Sequence, residues 1–151
     1  MRDDIQTALK NALKGGNAKE LSTLRLITAA LKDRDIAARS KGNNDGISDD
    51  EILSMLQTMI KQRQESSKMY REGGREELAQ SEEDEIVVIQ KFMPEQMDED
   101  AIAAAIAAAV AETGAESIKD MGKVMGYLKA NHAGQMDFGA ASAMIKAKLM
   151  G

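Results

Sequence analysis

Lys119 opens a run, Lys119-Asp120-Met121-Gly122-Lys123-Val124-Met125-Gly126-Tyr127-Leu128, that holds the chain's strongest candidate for binding chemistry. Met121, Val124, Met125 and Leu128 recur at helical spacing, and Gly122 and Gly126, four residues apart, fall on one face of that helix. An interior glycine costs a helix roughly 1 kcal/mol relative to alanine. What it gives in return is a strip without side chains, along which another backbone can approach closely. Two occupants fit such a strip. One is a neighbouring helix of the same chain in a tight crossing, which the residues alone favour; the other is an outside partner. Lys123 lies about 100° round the helix from Gly122. With Lys119 it places cations on the first turns, where free amides and the positive end of the helix dipole attract anions. A phosphate-bearing partner would therefore find Lys119, Gly122, Lys123 and Gly126 together, with Lys129 one or two turns further along.

Catalytic chemistry is much harder to assemble. His132 is the only histidine and sits in a turn between Asn131 and Ala133, a place where histidines commonly cap or meet solvent. No serine stands in a nucleophile elbow, and Ser142 belongs to a small-residue helix face. Gly122-Lys123 does not make a phosphate-binding loop, because Val124 replaces the required hydroxyl residue and no strand precedes it. The acidic runs Glu82-Glu83-Asp84-Glu85 and Asp98-Glu99-Asp100 lack the alternating spacing of a calcium loop and suit helix surfaces or N-termini. With no cysteine, thiolate ligands and a cysteine nucleophile are excluded. No catalytic residue, metal site or cofactor is expected.

The elements that must position the glycine run follow from composition and punctuation. Aromatics are only 3% of the 151 residues, tryptophan is absent, Pro94 is the single proline, and eleven methionines join alanine and leucine at apolar positions. These are helix formers, so the expected fold class is all-α. Residues 1–71 carry a charge of +3, residues 75–116 carry −10, and residues 117–151 return to +3. An acidic centre between basic ends argues against a general nucleic-acid coat, and no DNA binding is expected. It leaves room for local contact with a structured RNA or for charge-steered docking to a protein. The N-terminus lacks the apolar core of a signal peptide, and no run approaches the roughly 18 apolar residues of a membrane span. A soluble cytoplasmic protein with no membrane contact is the expectation.

Seven helices are punctuated in the sequence. Ile5, Ala8, Leu9, Ala12 and Leu13 form the first stripe, closed by Gly15-Gly16. Leu21, Leu24, Ile27, Thr28 and Leu31 continue the period from about Ala18 to Ser40, and residues 41–46 break it. Ser48 with Glu51 reads as a capping box for a third helix carrying Ile52, Met55, Leu56, Met59 and Ile60. A fourth, from about Arg75 to Met93, should bury Leu78, Ile86, Ile89 and Phe92 and stop at Pro94. After this boundary come Asp98 as an N-cap, a stripe of Ile102, Ala105, Ile106, Ala109 and Val110, and Gly114 as a C-cap. The glycine-bearing helix and a last one capped by Asp137, with Phe138, Ala141, Ile145 and Leu149 aligned, complete the chain. The expected architecture is an N-terminal four-helix unit, residues 1–94, and a C-terminal three-helix unit, residues 95–151. The second and third helices should pack antiparallel.

Several blocks taken together carry a resemblance. Leu21-Ser22-Thr23-Leu24-Arg25-Leu26-Ile27, Lys61-Gln62-Arg63, Gly73-Gly74-Arg75-Glu76-Glu77-Leu78, Met93-Pro94-Glu95-Gln96-Met97 and Asp120-Met121-Gly122-Lys123-Val124-Met125 are similar to the YqeY-like family over essentially the whole chain. That family is related to the tail of the B subunit of glutamyl/aspartyl-tRNA amidotransferase, a helical module that helps engage tRNA. The resemblance implies a tRNA-associated module, acting with tRNA or with a tRNA-charging or amidotransferase enzyme. It marks Asp120, Met121, Gly122, Lys123, Val124 and Gly126 as the signature helix. It supplies no catalytic residues, so a label of carbon–nitrogen ligase with glutamine as amide donor would come from the related subunit. The alternative is a protein–protein adaptor whose glycine helix docks a partner helix without RNA.

Overall fold

In a computed structural model, which describes residues 1–150, seven α-helices and one 3₁₀ turn follow one another, with no strand among the described residues. The fold is all-α. It divides into two compact units, Met1–Met93 and a second beginning at Pro94, each with its own apolar core.

The first unit holds α1 (Arg2–Gly15), α2 (Ala18–Arg39), α3 (Asp49–Glu72) and α4 (Glu76–Gln90). Their ends follow local chemistry. Gly16 takes the left-handed conformation that closes α1, at φ 73°. Asn17 accepts the Glu20 N–H to start α2, a cap the apolar pattern did not single out. Ser48 and Glu51 form the expected reciprocal box. The core gathers Ile5, Leu24, Ile27, Ile52, Met55, Leu56 and Ile89. Two apolar positions depart from expectation. Leu78 is 42% exposed while its neighbour Ala79 is fully buried, because α4 lies close against α3 and a small side chain suits that contact. Leu13, on the last turn of α1, is 55% exposed. α3 packs chiefly against α4, while α2 lies mainly on α1 and α4 and meets α3 only sparingly.

Ion pairs tie these helices across long sequence distances. Arg2 donates to Asp35 at 2.6 and 3.1 Å and to the Ile47 carbonyl at 3.0 Å, and Asp35 also accepts the Ile47 N–H at 2.9 Å. Gly46, at φ 88°, leaves space for this cluster, since a Cβ there would stand 2.8 Å from the Arg2 guanidinium. The acidic run of α4 is spent on neighbours: Glu83 on Ser67 and Arg71, Asp84 on Lys19, Glu85 on Arg63.

The second unit holds α5 (Glu99–Thr113), the 3₁₀ turn Ile118–Asp120, α6 (Met121–Asn131) and α7 (Phe138–Met150). Asp98 accepts the Ala101 N–H at 2.8 Å, Gly114 closes α5 at φ 66°, and Asp137 accepts the Gly139 N–H at 2.9 Å. The core joins Ala105, Ile106 and Ala109 to Val124, Leu128, Met136, Ala141 and Ile145. Among the described residues no single helix is long and apolar enough to cross a membrane.

Candidate surface on the glycine-bearing helix

α6 is anchored by one face. Val124 and Leu128 are fully buried, and Met121, Met125 and Tyr127 pack partly against the same core. At about 100° per residue this sets Gly122 and Gly126 on the opposite side, and both are exposed. A Cβ added at either would meet nothing within 4 Å. The tight intramolecular crossing expected from the residues is therefore absent. The four-residue spacing puts the glycines on one face, and the buried stripe, not their size, decides that this face points outward.

Cations edge the strip. Lys123 and Lys129 stand three residues before and after Gly126, hence about 60° to either side of it and about 9 Å apart along the axis. Both are exposed, as is Lys119 in the preceding 3₁₀ turn. The Lys123 ammonium lies 3.9 Å from Asp120 with its side chain 70% exposed, a solvent-facing pair that holds it only weakly. Asp120 itself accepts the Glu116 and Ser117 N–H groups at 3.0 and 3.3 Å. These backbone donors, with Lys123 beyond them, hold its carboxyl below the ordinary carboxylate value. The start of α6 thus already carries a negative charge, so the cationic character of the surface comes from the lysines along its side and less from the helix end.

Among the described residues around the strip, the side-chain hydrogen bonds include no nucleophile–base pair. The His132 ring Nδ1 is 3.1 Å from the Gln135 amide oxygen, within a turn that also accepts Gln96 Nε2 at the Gly134 carbonyl (2.7 Å) and the Met97 N–H at the Gln135 carbonyl (2.9 Å). His132 belongs to this turn's framework. No cluster of three or more metal-ligating side chains occurs among the described residues.

The first unit offers a second cationic stretch on α3, and two of its four cations are engaged. Arg63, 13% exposed, pairs with Glu85 at 2.9 Å, and Arg71 pairs with Glu76 and Glu83. Those two carboxylates hold the Arg71 guanidinium proton more firmly than usual, and Arg71 in turn lowers both of theirs. A shallow groove of about 390 Å³ beside them is lined by both signs of charge, Lys68 and Arg71 with Glu72 and Glu83. Lys61 and Lys68 remain as exposed cations on this helix.

Fold and surface together define an all-helical protein whose second unit presents an open, glycine-bearing helix face edged by lysines. The chain belongs to the YqeY-like protein family, whose model matches residues 2–149. No curated protein matches the chain.

Proposed function

We propose that this protein is a non-catalytic, tRNA-associated module of the cytoplasm that uses the α6 face to receive an RNA backbone. The open glycine strip carries the reading: Gly122 and Gly126 bring the helix backbone to the surface with space above it, and Lys119, Lys123 and Lys129 stand ready for phosphates. The family's relation to the tail of the tRNA-dependent amidotransferase B subunit supports the same assignment. Arg63 and Arg71 are engaged within the first unit, which disfavours α3 as the main contact. A partner protein, such as a tRNA-charging or amidotransferase enzyme, is the second reading, favoured by Ile118, 43% exposed immediately before Lys119.

Binding of total tRNA, titrated at low and physiological salt, tests this. Lys119→Ala with Lys123→Ala should weaken binding similarly for every tRNA species, because phosphate contacts carry no sequence information. The salt slope should fall by about one unit for each phosphate that no longer meets a lysine. Wild-type protein that binds no tRNA at low salt would refute the RNA reading and leave the adaptor. Binding that survives the double substitution with its slope intact would move the contact away from α6.

A further inference from the structure

The outer face of α2 is unpartnered within its unit, and its charges are arranged to match their own reversal. Thr23, Leu24, Ile27 and Leu31 turn inward and are buried. Outward stand Ser22, Arg25, Leu26, Ala29, Asp33 and Ile36, all exposed, with Leu26 at 44% and Ile36 at 49%. Arg2, Lys19, Arg63, Arg71 and Lys91 each reach a carboxylate in this unit. Arg25 and Asp33 pair with none of the described residues. They are eight residues apart, about 12 Å along the helix, too far to meet each other. Ala29 lies midway between them, and about 40° round the helix from each.

We infer that a second copy of this chain docks on this face, α2 against α2, in an antiparallel two-fold pairing centred on Ala29. In that arrangement residues equidistant from Ala29 stand at the same level. Arg25 of each copy meets Asp33 of the other, giving two ion pairs from one self-complementary patch. Small Ser22 comes level with Ile36, and Leu26 with the aliphatic stem of Lys32. Ala29 at the centre lets the helices close. A parallel pairing would set Arg25 against Arg25 and Asp33 against Asp33, so the charges select the antiparallel one. The patch is a single helix face, at the small end of interface sizes, so the dimer dissociates on dilution. Its exposed ion pairs weaken with salt.

Sedimentation velocity of the full chain over a concentration series tests the pairing, with circular dichroism to verify folding. Wild-type protein is expected to dimerise reversibly, and less in high salt. Arg25→Asp and Asp33→Arg should each weaken the dimer by roughly tenfold or more, since each sets like charges together twice. An equimolar mixture of the two variants should dimerise again, because the heterodimer restores both ion pairs. So should the double variant in one chain, which exchanges the charges. Wild-type protein that stays monomeric at the highest concentration reached would overturn the inference. So would a dimer indifferent to both reversals, or a mixture and a double variant that both remain monomeric.

Discussion

Replacing Gly126 by alanine separates the two uses a glycine strip can have, because they predict opposite signs. Gly126 is the sixth of eleven residues in α6, an interior position with helical neighbours on both sides. Alanine there should gain about 1 kcal/mol of helix propensity. Gly122 is the second residue of the helix, where backbone donors lack intrahelical partners, so its gain should be only a few tenths of a kcal/mol. Were either glycine pressed against another helix, the added methyl would instead cost about 1–3 kcal/mol. Nothing stands within 4 Å of a Cβ at either position, so the propensity gain is left unopposed. The double variant should therefore be stabler by about 1–1.5 kcal/mol. In a unit of this size that raises the midpoint by roughly 4–8 °C per kcal/mol. Thermal unfolding followed by circular dichroism reads the shift, and a tRNA titration of the same sample reads the surface. The expected result is a higher midpoint with weaker tRNA binding, as two methyls now occupy the strip. A lowered midpoint would show that the strip packs internally and refute the argument from open space. A raised midpoint with undiminished binding would show that the partner does not use the strip.

Asp35→Asn should cost the first unit about 1–3 kcal/mol at neutral pH, since it removes a charge-assisted pair with Arg2 from a cluster that also holds the Ile47 backbone. The Arg2 hydrogen bonds hold the Asp35 carboxyl below its ordinary value of 3.8. Its contribution is therefore complete above about pH 4 and is lost as pH falls through the lowered folded value, so urea titrations of wild type and variant should converge only in that acid range. A fragment spanning residues 94–151 should fold by itself into a helical unit with a cooperative melt, because Ala105, Ile106, Val124, Leu128, Met136 and Ile145 form a core with no member before Met97. A fragment without helical dichroism would count against an autonomous unit.

The helices and their ends were largely legible because they depend on neighbours in sequence. Ser48 with Glu51, Asp98 and Gly114 act within four residues of themselves, and the α3 stripe of Ile52, Met55, Leu56 and Met59 is buried as its period requires. The burial of Ala79 in place of Leu78 was not legible, since it depends on how close α3 comes to α4. The same holds for Arg2 with Asp35 and for Arg63 with Glu85, pairs 33 and 22 residues apart that only the packed fold brings together. For the candidate surface the sequence singled out a run of residues and left their orientation open. Spacing puts Gly122 and Gly126 on one face, and whether that face meets the core depends on which stripe of α6 the other helices cover.

That orientation gives the glycines their meaning. The second unit does not lack alanine: α5 carries it at buried positions such as Ala105 and Ala109, and at exposed ones such as Ala103, Ala104, Ala107 and Ala108. At an exposed position with no neighbour, alanine would fold as well as glycine and hold the helix more firmly. A methyl at Gly126 would cost nothing inside this molecule. On the proposed reading, its absence serves an outside backbone that must come closer to α6 than a Cβ allows. Lys123 and Lys129 flank that point, and on the same reading they would meet an anionic visitor. The proposed contact with an anionic backbone would account for a helix that gives up stability on its solvent side, between two exposed cations, where its own folding requires no glycine.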